Sequence, residues 1–200
     1  LDEVDGAFTG TFEMPRFPVT VSVRFLKSGD DGADFDRIET LNGAPEIDSG
    51  NLYKIAAAIL TEYELGDGYG LILVSSPYDE DEVPEADRDA LTGKADDLGA
   101  ATGTWFYISL YKVLNLWNGF TLARLDEDTT VKLTEVSEPV ELRAEVPAWM
   151  QEDGRTYYLL TCHNGKVTVA DKGKDTSFSW KSDRFSTYMI AYKDADDSNR

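Results

Sequence analysis

The chain has 200 residues, 42% of them hydrophobic, with a formal charge of −19. That is enough for one well-filled domain or for one domain and a small appendage, and a chain of this size hides roughly 70% of its unfolded surface on folding. One cysteine, Cys162, excludes an internal disulfide and a cysteine-built metal site, so packing must hold the fold, with Cys162 itself read as a small buried hydrophobe.

The charge is unevenly spread. Tyr78–Asp97 holds nine acids against two bases and Asp30–Asp48 seven against one, whereas Arg155–Lys193 has seven bases and three acids. A polyanion would meet a repulsive field over most of this surface, which argues against nucleic acid as a partner. No run approaches the roughly 20 apolar residues of a membrane span, so no membrane insertion is expected within this segment.

Phe8, Gly10 and Phe12 alternate with polar residues, Met14-Pro15 interrupts, and Val19, Val21, Val23 and Phe25 alternate again. This predicts a two-stranded segment over 1–27. Residues 28–50, rich in Gly, Asp and Asn, read as an acidic linker running over the surface. Leu52, Ile55, Ile59 and Leu60 recur at helical spacing, although the apolar run Ile55 to Leu60 also suits a buried strand. Gly66-Asp67-Gly68 ends this element, and Leu71 to Val74 is a strand.

Proline near the start, acids in the first turn, apolar Ala90, Leu91, Ala95 and Leu98, and a closing Gly99 predict a helix over about 83–98. The remainder is strand-rich: Phe106 to Leu110, a hairpin at Asn118-Gly119, Val131 to Val136, and Val140 to Val146 with one wet face. A single helical turn over Pro147–Gly154 has Trp149 and Met150 as its apolar side.

From Arg155 on, Tyr157, Leu159 and Thr161 point one way and Tyr158, Leu160 and Cys162 the other. Asn164-Gly165 supplies the positive-φ residues of a tight hairpin before Lys166 to Val169. Thr176 to Trp180, a polar corner at Lys181 to Arg184, and Tyr188 to Tyr192 complete four antiparallel strands. Phe185 is expected to wedge the last corner, with the Ser186 and Thr187 hydroxyls satisfying backbone groups. The fold class is thus mainly β: an Ig-like antiparallel β-sandwich with one short crossover helix, spanning 51–194, with a polar tail at 195–200.

The motif Asp183-Arg184-Phe185-Ser186-Thr187-Tyr188-Met189-Ile190-Ala191-Tyr192, with the strand before it and the His163-Asn164-Gly165-Lys166-Val167 hairpin, resembles the closing β-rich, Ig-like module of cell-wall-anchored surface proteins of Gram-positive, mainly gut, bacteria. The acidic helix at Val83 to Asp87, the strand Phe106 to Lys112 and the run Val136 to Val146 are similar to the same pattern. Phe12 to Phe25 resembles the end of a small bacterial surface repeat. The resemblance implies an extracellular location at the cell wall or cell surface, neighbouring modules of a longer chain as partners, and a structural or adhesive role without catalytic residues. The sequence lacks the Leu-Pro-x-Thr-Gly sorting signal of that family.

His163 precedes a hairpin tip, where a polar residue is expected for turn reasons, and nothing nearby in sequence suggests a Ser or Cys nucleophile for it to activate. The many acids supply endless carboxylate pairs, so counting them favours no hydrolase. Asp30, Asp31, Asp34 and Asp36 form a carboxylate-rich stretch able to hold calcium weakly, but without EF-hand spacing or a closing glutamate. No other cofactor is expected. Trp180 reads as core and Trp149 as the cap of its turn, leaving Trp117 at its hairpin as the candidate for exposure. A carbohydrate- or peptide-binding surface of Trp117, Tyr111 and Phe120, directed at host or cell-wall glycan or protein, is the alternative to a purely structural module.

Overall fold

The computed structural model describes residues 2–4, 7–9, 35–114 and 130–195. The chain divides into two compact units, Leu1–Asp30 and Asp31–Arg200. In the first, β1 (Asp2–Val4) pairs antiparallel with β2 (Ala7–Thr9), Val4 opposite Ala7. Asp5-Gly6 lies between them in sequence, a dipeptide suited to a two-residue hairpin. The strand expected over Val19 to Phe25 falls outside the described residues.

The second unit is dominated by strands. Its larger sheet has the order β10-β9-β12-β6-β5-β3, with β7 also on β6. These are β3 (Asp36–Thr40), β5 (Tyr69–Tyr78), β6 (Ala101–Leu114), β7 (Thr130–Leu133), β9 (Thr156–His163), β10 (Lys166–Gly173) and β12 (Thr187–Lys193). A smaller sheet has the order β11-β8-β4, from β4 (Ile47–Ser49), β8 (Glu135–Glu145) and β11 (Ser177–Arg184). The two sheets share one apolar layer. Val140, Leu142, Ala144, Phe178 and Trp180 meet Leu71, Leu73, Phe106, Ile108, Tyr157, Leu159, Tyr188 and Ile190 there.

The strip expected as a surface linker carries β3 and β4. β3 lies parallel to β5, Ile38 opposite Leu73, and so joins the edge of the large sheet. Polar Asp36, Arg37 and Glu39 hide this from a pattern reading, because at an edge Ile38 alone can anchor the strand. The stretch Val131 to Val136 is likewise two strands. β7 ends at Leu133, and after Thr134 the chain enters the smaller sheet as β8. Nor do the last four strands form one sheet: β11 crosses to β8, with Trp180 opposite Leu142, and its pairing runs on to Arg184, so the corner is Phe185-Ser186.

Residues 52–60 fold as a helix, α1 (Leu52–Ile59), which buries Leu52, Ile55 and Ala56 in the inter-sheet layer. A second short helix, α2 (Glu62–Asp67), starts with a capping box between Thr61 and Glu64. Glu64 also holds Lys112 of β6 at 2.5 Å. The expected helix is present as α3 (Glu85–Leu98), entered at Pro84 and closed at Gly99. It lies on the other face of the large sheet, where Leu91 and Ala95 pack with Trp105, Leu160, Cys162 and Met189. At the β9–β10 hairpin Asn164 and Gly165 have φ of 50° and 74°, the left-handed geometry that this dipeptide supplies. Among the described residues no helix is long and apolar enough to cross a membrane.

Candidate functional site

Of the three aromatic residues expected at a binding hairpin, the structure describes one. Tyr111 is half-buried in β6, opposite Ile72 and Lys132, and packs against Ile72, Val74 and Val113. Trp117 and Phe120 lie outside the described residues, as does the Asn118-Gly119 turn.

The acidic stretch is also described only at its last member. Asp36 opens β3, and partial burial raises its carboxyl pKa. That favours the neutral acid, whereas a cation ligand must be ionised. Asp30, Asp31 and Asp34 lie outside the described residues. Among the described residues no group of three or more His, Cys, Asp or Glu side chains is placed to hold a metal ion.

Trp149 overturns its expectation. It is 72% exposed, while its neighbour Met150 is buried. The turn Ala148–Met150 is held by its backbone rather than by the indole. Tyr157 Oη donates to the Met150 carbonyl at 3.2 Å and accepts from Glu152 N at 2.8 Å. Arg155 donates to the same carbonyl at 2.6 Å, to Glu152 at 2.6 Å and to Asp194 at 2.7 Å, with its guanidinium 4.0 Å from the Tyr192 ring centroid. With these partners fixing the loop, Trp149 is not needed as a cap.

Cys162 is fully buried, as expected, but it is more than a hydrophobe. Its Sγ donates to Asp87 Oδ1 of α3 at 3.2 Å, and Thr187 Oγ1 donates to Asp87 Oδ2 at 3.2 Å. Burial, reinforced by Asp87, pushes the thiol pKa up to about 11. A thiol held protonated beside a carboxylate is a poor nucleophile. The arrangement latches α3 to β9 and β12. The Thr187 hydroxyl therefore serves a side chain rather than the backbone, and Ser186 Oγ likewise lies 3.2 Å from Thr161 Oγ1.

Among the described residues, a concave grouping of hydroxyls and charged side chains lies where the inter-sheet layer runs out between β9, β10 and β11. This cleft measures about 370 Å³ and is lined by Thr161, His163, Trp180, Ser182, Arg184 and Ser186 among others. Its origin is visible strand by strand. Inward positions that are Tyr157 and Leu159 further along β9 become Thr161 and His163. On β11 the series Phe178, Trp180 continues as Ser182, and Ser186 precedes the buried Tyr188. Polar residues at inward positions on neighbouring strands were the available sequence signal, legible only once the strands are known to adjoin.

Tyr188 Oη lies 3.5 Å from Ser182 Oγ, one of the lining hydroxyls. Burial raises the Tyr188 pKa, opposed by Ser182, Trp180 and Thr161 around its oxygen. The Trp180 indole N–H faces that oxygen, but among the described residues it completes no hydrogen bond of good geometry. Comparisons of the chain with known protein families, with curated proteins and with solved structures return no match.

Proposed function

We propose that this chain is a non-catalytic, extracellular structural or adhesive module of a bacterial surface protein, an immunoglobulin-like pairing of sheets that transmits tension along its strands. The observation that supports this reading is strand direction. β3 is parallel to β5, β5 is antiparallel to β6, and β6 is antiparallel to β12. The first and last strands of the unit Asp31–Arg200 therefore run the same way.

Their levels differ. Through β5, Asp36 stands level with Lys112 of β6, whereas Tyr192 is opposite Ala101 at the far end of the same strand. At roughly 3.3 Å per residue, the two positions are about 36 Å apart along the strand axis. Tension between them pulls β3 and β12 lengthwise against their neighbours, so the backbone hydrogen bonds of each ladder share the load. β12 has β6 on one side and β9 on the other, and the Arg155–Asp194 pair ties down the residue just beyond it. An acidic surface that resists self-association suits a displayed module.

Pulling single molecules tests this reading. Handles at Phe35 and Asp194, at the outer ends of β3 and β12, load the strands in shear; handles at Asp153 and Lys174 open the β9–β10 hairpin one hydrogen-bonded pair at a time. The shear geometry is expected to need the larger unfolding force. Equal or smaller force in the shear geometry contradicts a tension-bearing role.

A further inference from the structure

We propose that the polar cleft between β9, β10 and β11 is a binding site for an acidic saccharide, a sugar ring carrying one carboxylate. Its lining includes groups that both donate and accept, the hydroxyls of Thr161, Ser182 and Ser186. A polyol is the complementary chemistry, since each of its hydroxyls needs a donor and an acceptor. Trp180 also lines the cleft, and its indole N–H lies beside the Tyr188 oxygen under these hydroxyls, where its resonance senses what occupies the site.

The rim selects the charge. Lys166 and Arg184 line the cleft and form no ion pair with a described residue, whereas Lys181 is engaged by Glu141 at 2.7 Å. Against these two free cations stands Asp183, also in the lining. Such a balance suits one carboxylate and is too weak for a phosphate chain. At about 370 Å³ the cleft is at the small end of ligand pockets, sized for one or two sugar rings. With Trp180 8% and Tyr188 1% exposed, no ring face there is open for stacking, so recognition runs through hydrogen bonds to edges. The site is independent of the tension-bearing role and stands or falls separately from it.

The Trp180 indole N–H resonance in a nitrogen-15 spectrum of the full chain reads the site directly. Three probes at constant ionic strength separate the chemistries: methyl glucuronide, methyl glucoside and inorganic sulfate. Methyl glucuronide is expected to shift the Trp180 signal saturably, and methyl glucoside to bind about tenfold more weakly for want of the charge-assisted contact. Sulfate is expected to leave the indole unmoved. Arg184→Gln, on an exposed side chain, should weaken glucuronide about tenfold while the remaining resonances hold their positions. No saturable shift through millimolar glucuronide, an equal response to sulfate, or undiminished affinity in Arg184→Gln would each overturn the proposal.

Discussion

The two faces of the large sheet are held by different means. Its inner face shares an apolar layer with the smaller sheet: Phe106 stacks on Tyr188 with ring centroids 5.3 Å apart, and Trp180 tilts against the same tyrosine at 5.6 Å. Its outer face over β6, β9 and β12 is covered by one acidic helix with a narrow apolar side, Leu91 and Ala95, latched by the carboxylate of Asp87 to Cys162 and Thr187. A helix with so little apolar surface would bind weakly by burial alone, and the latch compensates. The difference teaches that stability resides in the inter-sheet layer, while α3 is an attachment that can loosen first.

Removing a ring from the inner layer should do the most damage. Phe178 is 1% exposed between the sheets, and Phe178→Ala is expected to cost about 3–5 kcal/mol, since a void replaces packed ring. Chemical denaturation with one cooperative transition at a lower midpoint checks it. Loss of less than about 1 kcal/mol would mean that the two sheets are not the joint core.

Breaking the latch should have a smaller and more local effect. Asp87→Ala leaves the buried Thr187 hydroxyl and the Cys162 thiol without their acceptor, a cost of about 1–2 kcal/mol. The sharper readout is thiol labelling. In the native protein the thiol stays protonated until about pH 11, so labelling near neutral pH should be slow, and faster in the variant once α3 opens. Unchanged labelling would show that α3 is held by its apolar side alone. Because the folded thiol pKa is raised from its ordinary value of 9.0, this group's contribution to stability is complete below pH 9 and is lost as pH rises toward 11.

The smallest effect belongs to acid pH. Hydrogen bonding from Lys112, then from the Thr61 backbone, lowers the Glu64 pKa from 4.5 to about 2. A depressed carboxylate contributes stability above its unfolded pKa and loses it as pH falls through the folded one, so Glu64 gives a modest decline between about pH 4.5 and pH 2. Glu64→Gln should flatten that part of the thermal-stability profile and leave the neutral-pH unfolding transition cooperative.

These contrasts also mark what was legible beforehand. The strictly alternating Val140, Leu142 and Ala144, the Asn164-Gly165 turn and the helix framed by Pro84 and Gly99 depend on local chemistry, and all three stand as expected. Which sheet a strand joins depends on distant partners, so β3 passed for a linker and the crossing of β11 to β8 was not legible. Alternation predicts which residues share a face but not what that face meets. For the same reason the polar inward residues Thr161, Ser182 and Ser186 gave no sign of converging on one cleft. Trp149 misled because a large apolar ring is expected to be covered, whereas Arg155 and Tyr157 already fasten the backbone beneath it.

Native-state hydrogen exchange tests the central claim, that the last strand is locked into the middle of a sheet stabilised from its inner side. β12 amides from Tyr188 to Ala191 should exchange only through global unfolding, while those of α3 around Leu91 to Ala95 exchange earlier through local opening. Exchange in β12 as fast as in α3, or faster, would contradict the account.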